Sequence, residues 1–313
     1  MASIDGDRAP TVCVVGAANI DLISYVPRLP RMGETLHGSA FHLGYGGKGA
    51  NQAVMAAKLG ARVSMVTKLG QDVFGEGTLK NFRRWGVDTT HVAVTDEAFS
   101  GVAPIMVDDE AHNSIVIVTG ANDLLNADEL ERARPAMAAA DVVACQLELP
   151  VATTLAALRI ARADGVRTML NPAPAMTDLP VELIELSDIL CPNQGEAALL
   201  TDRPVRTVDD AAAAARTLID RGAGSVVITL GEAGCLVACD GDIEHVAGVP
   251  ARAVDTTGAG DAFVGALSYF LAAGFALPVS AARATVIAGR SVQARGTQTS
   301  FPDRADLPAA LFT

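Results

Sequence analysis

Short continuous apolar runs alternate along this chain with longer segments whose apolar residues recur every three or four positions. The short runs, bounded by turn residues, read as buried strands over Thr11–Gly16, Val63–Leu69, Asp141–Gln146, Thr168–Asn171, Ile189–Cys191 and Ser225–Leu230. The periodic segments read as helices over Ala50–Leu59, Val73–Trp85, Asp128–Ala139, Val151–Ala163 and Val208–Arg221. Gly60, Gly86, Gly165 and Gly222 follow four of them, where a helix-ending glycine belongs. Further on, Gly234–Ala238 and Asp242–Val246 flank Cys239-Asp240-Gly241 as an antiparallel hairpin. Gly258–Ala273 and Pro278–Gln293 read as two closing helices. Strand–helix alternation of this kind predicts an α/β fold with a mostly parallel sheet covered by helices.

Two regions break the rhythm. Ile20–Leu43 and Ser100–Val118 read as short strands, with turns at Arg28–Gly33 and Asp108–Asn113. Strands inserted early into an α/β chain predict a small β flap, able to cover a site at the C-terminal edge of the sheet, where open α/β sheets bind ligands. Pro104, inside the flap strand Gly101–Val107, predicts an edge position. Leu22, Ile23, Val26, Leu36 and Phe41 leave the flap with apolar edges that need covering.

Composition narrows the functions. The chain has 313 residues, half of them hydrophobic and 4% aromatic, enough for one large α/β domain or two modest ones. A net charge of -12, with no local run of Lys or Arg, excludes nucleic acid and anionic membrane surfaces as partners. An anionic substrate would need a local device, such as a helix terminus or a bound cation. The five cysteines form no C-x-x-C pair and no zinc spacing; Cys13, Cys145 and Cys191 lie in apolar segments, and Cys235 and Cys239 share a strand face two pleats apart. Reduced thiols in a cytoplasmic protein fit this usage. Met1–Pro10 is polar and unlike a signal peptide, and no apolar run reaches membrane-spanning length without a polar break.

The sharpest chemical signal is Asp255-Thr256-Thr257-Gly258-Ala259-Gly260-Asp261, followed by the apolar run Ala262–Leu267. It reads as a glycine-rich turn feeding a helix, with the N–H groups of Gly258, Ala259 and Gly260 free to meet an anion. Asp261 falls in the first helical turn. A carboxylate beside a phosphate nest is repelled, unless it takes a proton from something that attacks phosphorus. Phosphoryl transfer is therefore the first reading. Gly44–Asn51 contains a formal G-x-G-x-x-G, but its preceding strand belongs to the flap, and Gly47-Lys48 is followed by Gly49 instead of Ser or Thr. Neither a dinucleotide fingerprint nor a Walker loop fits. A tight turn that lets a polyhydroxyl compound approach backbone, with Lys48 and Asn51 as polar contacts, remains. Asn19 and Asp21, Glu148, Asn193 and Glu196, and the turn Thr229-Leu230-Gly231-Glu232-Ala233-Gly234 sit where core strands end. Singly each reads as a cap or turn, and Asn193 with Glu196 as a capping box. Together they place polar groups at the C-terminal ends of consecutive strands.

Over nearly its whole length the chain resembles the ribokinase-like carbohydrate kinases of the phosphofructokinase-B type. The resemblance rests on Gly46-Gly47-Lys48-Gly49-Ala50-Asn51-Gln52-Ala53 and Asp255–Phe263, supported by Gly16-Ala17-Ala18-Asn19-Ile20-Asp21, Gln146-Leu147-Glu148, Asn171-Pro172-Ala173-Pro174-Ala175 and Gly120-Ala121-Asn122. It implies a three-layer α/β/α sandwich with a β-sheet lid, residues 1–313 forming one domain and about 20–43 and 100–118 the lid. It implies transfer of the γ-phosphate of ATP to the 5-hydroxyl of D-ribose, or in a related kinase to deoxyribose, another sugar or a nucleoside. By the same resemblance Asp261 is the general base and Gly258, Ala259 and Gly260 the anion hole. Sugar contacts fall on Asn19, Asp21, Gly46, Gly47, Lys48, Asn51, Glu148 and Asp261. Nucleotide contacts fall on Asn193, Thr229, Leu230, Gly231, Glu232, Ala233, Gly234, Gly260 and Thr285. Glu196 is associated with Mg²⁺, and a K⁺ site maps to the carbonyls of Asp255, Thr257, Ser291, Ala294 and Gly296 and the Ser300 hydroxyl. A homodimer through the lid is also implied. The chain departs from the family at Gln194, often an acid; at Thr285, usually Asn or His near adenine; and at Arg290, in a stretch usually small and apolar. A non-catalytic sensor on this fold is the competing class, and the intact Asp261 and glycine nest argue against it.

Overall fold

In a computed structural model, which describes residues 8–110 and 112–313, both faces of the central sheet are dry. Along β1 (Thr11–Val15), Val12 and Val14 enter one buried cluster while Cys13 and Val15 enter the other. A strand with no wet face has no polar alternation, which is why the core strands read as continuous apolar runs. The chain continues through β2 (Asn19–Tyr25), β3 (Ala40–Gly46), α1 (Lys48–Lys58), β4 (Arg62–Gly70), α2 (Val73–Arg84), β5 (Val92–Thr95), β6 (Gly101–Val107), β7 (Asn113–Ile115), α3 (Ala127–Ala138), β8 (Val142–Cys145) and α4 (Val151–Ala163). It ends with β9 (Arg167–Leu170), α5 (Val181–Glu185), β10 (Ile189–Leu190), α6 (Gln194–Thr201), α7 (Val208–Asp220), β11 (Val226–Thr229), β12 (Cys235–Cys239), β13 (Asp242–Val246), α8 (Ala259–Ala272) and α9 (Leu277–Ser291).

The main sheet has nine strands in the order β13-β12-β11-β10-β9-β8-β1-β4-β5, parallel except for the β12–β13 hairpin at one edge. Helices α1, α2, α8 and α9 pack on one face and α3 to α7 on the other. The result is the expected α/β/α sandwich. The second sheet has four strands, β3-β2-β6-β7, and leaves the main sheet just past the end of β1. Its four strands come from the two regions that broke the sequence rhythm.

Several expectations change. The edge strand β5 and the short helix α5 had no sequence signal. β5 is half exposed and only four residues long, and α5 is a single turn and a half. Pro104 is not on an edge strand, because β6 lies between β2 and β7. Its effect is local: Val116 N–H donates to the Pro104 carbonyl, but Pro104 has no N–H to return, and β7 stops at Ile115 with only an isolated bridge, Val102 to Val118, beyond. The reading of Met1–Pro10 as a polar start lies, for residues 1–7, outside the described residues, as does Ala111 in the flap turn. Gly60, Gly86, Gly165 and Gly222 do follow helices, with φ from 72° to 106°. Arg290 reaches solvent. Among the described residues no helix is long and apolar enough to cross a membrane, and all five cysteines are unpaired.

The packing that matters most for function joins α1 to α8. Gly265 lets them touch: a Cβ there would lie 2.6 Å from the Gln52 carbonyl oxygen and 2.7 Å from Met55 Cβ. Neither backbone nor core side chain can yield that much space. Gly265→Ala should therefore lower stability by about 1–3 kcal/mol, the usual penalty for overpacking, read as a drop in Tm, with activity falling as α1 is pushed from α8.

Candidate active site

The five strands β11-β10-β9-β8-β1 are neighbours in space, and their C-terminal ends carry the polar residues singled out above. At the end of β1 the chain turns directly into β2, so Asn19 and Asp21 leave the main sheet with the small one. β3 returns to the same place and delivers Gly46 opposite Asn19. Gly47 then caps α1 with φ 86°, and a Cβ on it would lie 2.7 Å from the Asn19 nitrogen. Helix α1 starts at Lys48, two residues earlier than expected, so Lys48 and Asn51 belong to its first turn instead of a loop.

Asp261 sits in the first turn of α8, 7% exposed. Asn51 Nδ2 donates to its Oδ2 at 2.9 Å and Gln52 Nε2 to its Oδ1 at 3.2 Å. Gln52 in turn accepts from Gln146 Nε2 at 2.6 Å and also reaches Asn171 Oδ1 at 3.2 Å. At the helix end, Gly258 caps α8 with φ 75°. The Ala259 N–H turns back to the Thr256 carbonyl at 3.2 Å, so the expected three-donor nest is reduced to Gly258 and Gly260, whose N–H groups have no partner among the described residues.

Three carboxylates, Asp261, Glu148 and Glu196, act on one cation here, and Asp21 lies beside two of them. The Lys48 N–H donates to Glu148 Oε2 at 2.8 Å, a favourable placement of an acid at a helix N-terminus. Burial alone would lower the Lys48 ammonium, but Asp261, Glu148 and Glu196 outweigh it and hold it above the usual lysine range. Burial pushes the Asp21 carboxyl up to about 7, with the Glu148 and Asp261 charges adding to it. Burial also raises Glu148 and Glu196, against the opposing pull of Lys48. Asn19 Oδ1 accepts from Asn122 Nδ2 at 2.9 Å. Asn122 also accepts the Ala18 N–H at 3.0 Å, so this fully buried amide sets the corner where β2 begins.

Asn193 and Glu196 do form the capping box of α6: Glu196 N–H donates to Asn193 Oδ1 at 2.9 Å and Asn193 N–H to Glu196 Oε2 at 2.8 Å. Asn193 is bridged to Thr229, whose N–H donates to the Pro192 carbonyl, so α6 and the turn after β11 meet. That turn closes with Leu230 N–H on the Gly234 carbonyl at 2.8 Å, leaving Gly231, Glu232 and Ala233 at the surface. Thr285 approaches from α9, its Oγ1 3.6 Å from Cys235 Sγ; the hydroxyl proton is engaged by the Ala281 carbonyl at 2.9 Å. Asp255 is a clasp. Its carboxylate accepts from the N–H groups of Thr257 and Gly296, both at 2.9 Å. Partial burial pushes this carboxyl up, but those bonds and Arg295 outweigh it and hold it below the usual range. Segments 254–257 and 291–300 are thereby held together. The Ser291 and Ser300 hydroxyls donate to the Ala288 and Thr297 carbonyls.

Sequence reasoning missed the roles of Gln52, Gln146, Asn171, Asn122, Asn81 and Gln298. The first four lie inside or beside stretches already singled out. Asn81 offered one faint signal, a polar residue beside Phe82 on the buried side of α2; Gln298 offered none.

The raised Asp21 carboxyl makes a sign prediction. A carboxyl with a higher pKa folded than unfolded takes up a proton on folding between the two values, so its contribution to stability falls as pH rises from about 4 to about 7 and is level beyond. Asp21→Asn should stabilise the ligand-free protein at about pH 8 and leave it unchanged near about pH 3, measured by urea unfolding.

Comparison with known proteins adds independent findings. Residues 9–304 match the pfkB family carbohydrate kinase pattern. A ribokinase from Mus musculus is 46% identical over 310 residues, 98% of this chain and 96% of that protein. A deoxyribokinase from Salmonella typhi is 40% identical over 291 residues, 93% of this chain and 95% of the other. The structure of Arabidopsis thaliana ribokinase complexed with ribose and ATP superposes with a TM-score of 0.89 at 32% identity, covering 96% of this chain and 97% of that one.

Proposed function

We propose that this chain, which belongs to the pfkB family of carbohydrate kinases, transfers the γ-phosphate of ATP to the 5-hydroxyl of D-ribose, giving ribose 5-phosphate. One observation carries the reading: a buried carboxylate, Asp261, held by two amide donors from α1, lies in the first turn of α8 beside the Gly258 and Gly260 N–H groups, which have no partner among the described residues. The choice of ribose is supported by the ribokinases among its relatives. The deoxyribokinase relative favours 2-deoxyribose as the second reading.

In this reaction the sugar oxygen forms a bond to the γ-phosphorus as the bond to the bridging oxygen of ADP breaks, and the hydroxyl proton passes to Asp261. A positioned base of this kind accelerates a reaction by about 10²–10⁴-fold. The Gly258 and Gly260 N–H groups, with the α8 N-terminus behind them, stabilise negative charge on the moving phosphoryl group. Asn19, Asp21, Gly46, Gly47, Lys48, Asn51 and Glu148 bind the sugar hydroxyls; Asn193, the turn Thr229–Gly234 and Thr285 bind the nucleotide.

The acid-rich site needs cations to receive a triphosphate. Among the described residues no three His, Cys, Asp or Glu side chains gather at metal-binding distance. Glu196 would hold a Mg²⁺ ion brought by the nucleotide, which would offset charge on the phosphates. The two segments clasped by Asp255 offer oxygen donors only, the carbonyls of Asp255, Thr257, Ser291, Ala294 and Gly296 and the Ser300 hydroxyl, a set suited to a hard ion such as K⁺, whose charge would offset the carboxylates. Unpaired thiols suit the reducing cytoplasm.

A coupled assay with ribose, deoxyribose, fructose and adenosine at equal concentration tests the substrate. Ribose should give the highest kcat/KM, and ribose among the poorest substrates would overturn the reading. Asp261→Asn should lower kcat by about 10³-fold or more while ATP binding persists. We also expect a homodimer through the small sheet, where Phe41, Leu43 and Ile115 are exposed; sedimentation showing only monomer at micromolar concentration would count against it.

A further inference from the structure

Asp261 ends a chain of buried amides of which the reaction above uses only the first, Asn51. Asn51 Nδ2 donates to Asp261 Oδ2 at 2.9 Å, Gln298 Nε2 donates to Asn51 Oδ1 at 3.0 Å, and Asn81 Nδ2 donates to Gln298 Oε1 at 2.7 Å. The four residues come from α8, α1, the turn following α9 and α2, and none is more than 8% exposed. A primary amide donates at one end and accepts at the other, whereas an ionised carboxylate only accepts. Each link therefore fixes the direction of the next. An acceptor placed at the far end would turn Gln298 over, then Asn51, and would bring Asn51 Oδ1 against the Asp261 carboxylate.

We propose that Gln298 and Asn81 are positioning residues that set the polarity of Asn51, so that a donor and not an acceptor faces Asp261 and the carboxylate stays aimed at the sugar hydroxyl. The proposal rests on Asp261 as the base. It gives a job to a buried polar row that packing alone does not require, since apolar side chains of the same shape would fill α2 and the 297–300 turn as well. The segment holding Gln298 is itself pinned to α1, because Lys58 Nζ donates to the Gln298 carbonyl at 3.4 Å and to that of Phe301.

Asn81→Asp tests the direction of the chain with almost no change of shape. Protonated, the new carboxyl donates to Gln298 Oε1, as the amide does. Ionised, it only accepts, which turns Gln298 over and Asn51 with it. Burial disfavours the charged form and moves the switch up toward the working pH range. The charged groups around Asp261 are Lys48, Asp21, Glu148 and Glu196, and those near Gln298 are Lys58 and its partner Asp303. All are common to variant and wild type, so the ratio of the two kcat values isolates the relay.

That ratio, wild type over variant, should rise by about tenfold or more between about pH 6 and about pH 9, with KM for ATP little changed. A ratio independent of pH in the folded variant overturns the proposal, because a merely structural role gives a constant loss. If Asn81→Asp does not fold by circular dichroism, Gln298→Leu carries the test: removing the donor to Asn51 should lower kcat about tenfold with KM for ATP little changed, and an unchanged kcat overturns the proposal. Asp261→Asn separates the two readings. If that variant keeps turning over, the assignment of the base fails; if it is inactive while the Asn81→Asp ratio stays flat, the relay alone fails.

Discussion

The site depends on keeping a carboxylate in a nearly dry place. Asp261 is 7% exposed, and a charge so far from water needs donors supplied by the protein. Two of them, Asn51 and Gln52, come from consecutive residues at the start of α1. This works only because α1 and α8 approach until a glycine is required between them. Helix packing, which in most of the molecule serves stability, here sets a hydrogen-bond distance. Rigid elements hold such distances better than loops do.

A second constraint is electrostatic. Asp21, Glu148, Glu196 and Asp261 lie close enough to perturb one another or Lys48. Lys48 is the ammonium among them, and the charges of Asp261, Glu148 and Glu196 hold its proton. A chain of net charge -12 that handles a triphosphate cannot rely on long-range attraction. Open N–H groups at a helix end and one lysine supply it locally.

Much of this was legible in the sequence, for physical reasons. Buried strands and amphipathic helices announce themselves by period, and Asp255–Asp261 announces a helix entry by its glycines and the apolar run behind them. The polar strand ends converged as expected because the order β11-β10-β9-β8-β1 makes consecutive readings neighbours. The edge strand β5 and the small helix α5 were silent because short, half-exposed elements have little period to show. Pro104 misled because a missing N–H excludes one bond, not a position in the sheet; β6 keeps both neighbours and β7 ends early instead. Ala259 misled because the glycines flanking it signal a nest, while its own N–H closes the turn on Thr256. Asn81 and Gln298 lie 217 residues apart in the chain, and no local pattern could join them.

The corner we assign to the sugar has one more property. Asp21 and Asn19 are backed by glycines: a Cβ on Gly46 would lie 2.5 Å from either Asp21 carboxylate oxygen, and one on Gly101 would lie 2.1 Å from Asn19 Oδ1. Main chain packs against both polar groups, and the side chain that touches Asn19, the buried Asn122 amide, is itself tied to the main chain of Ala18 and Thr119, so its exchange could not shift them gradually. This half of the pocket is closed to stepwise variation. A lineage or an engineer seeking a different sugar would have to work from the opposite wall, around Glu148 and Lys48, or replace the small sheet as a unit.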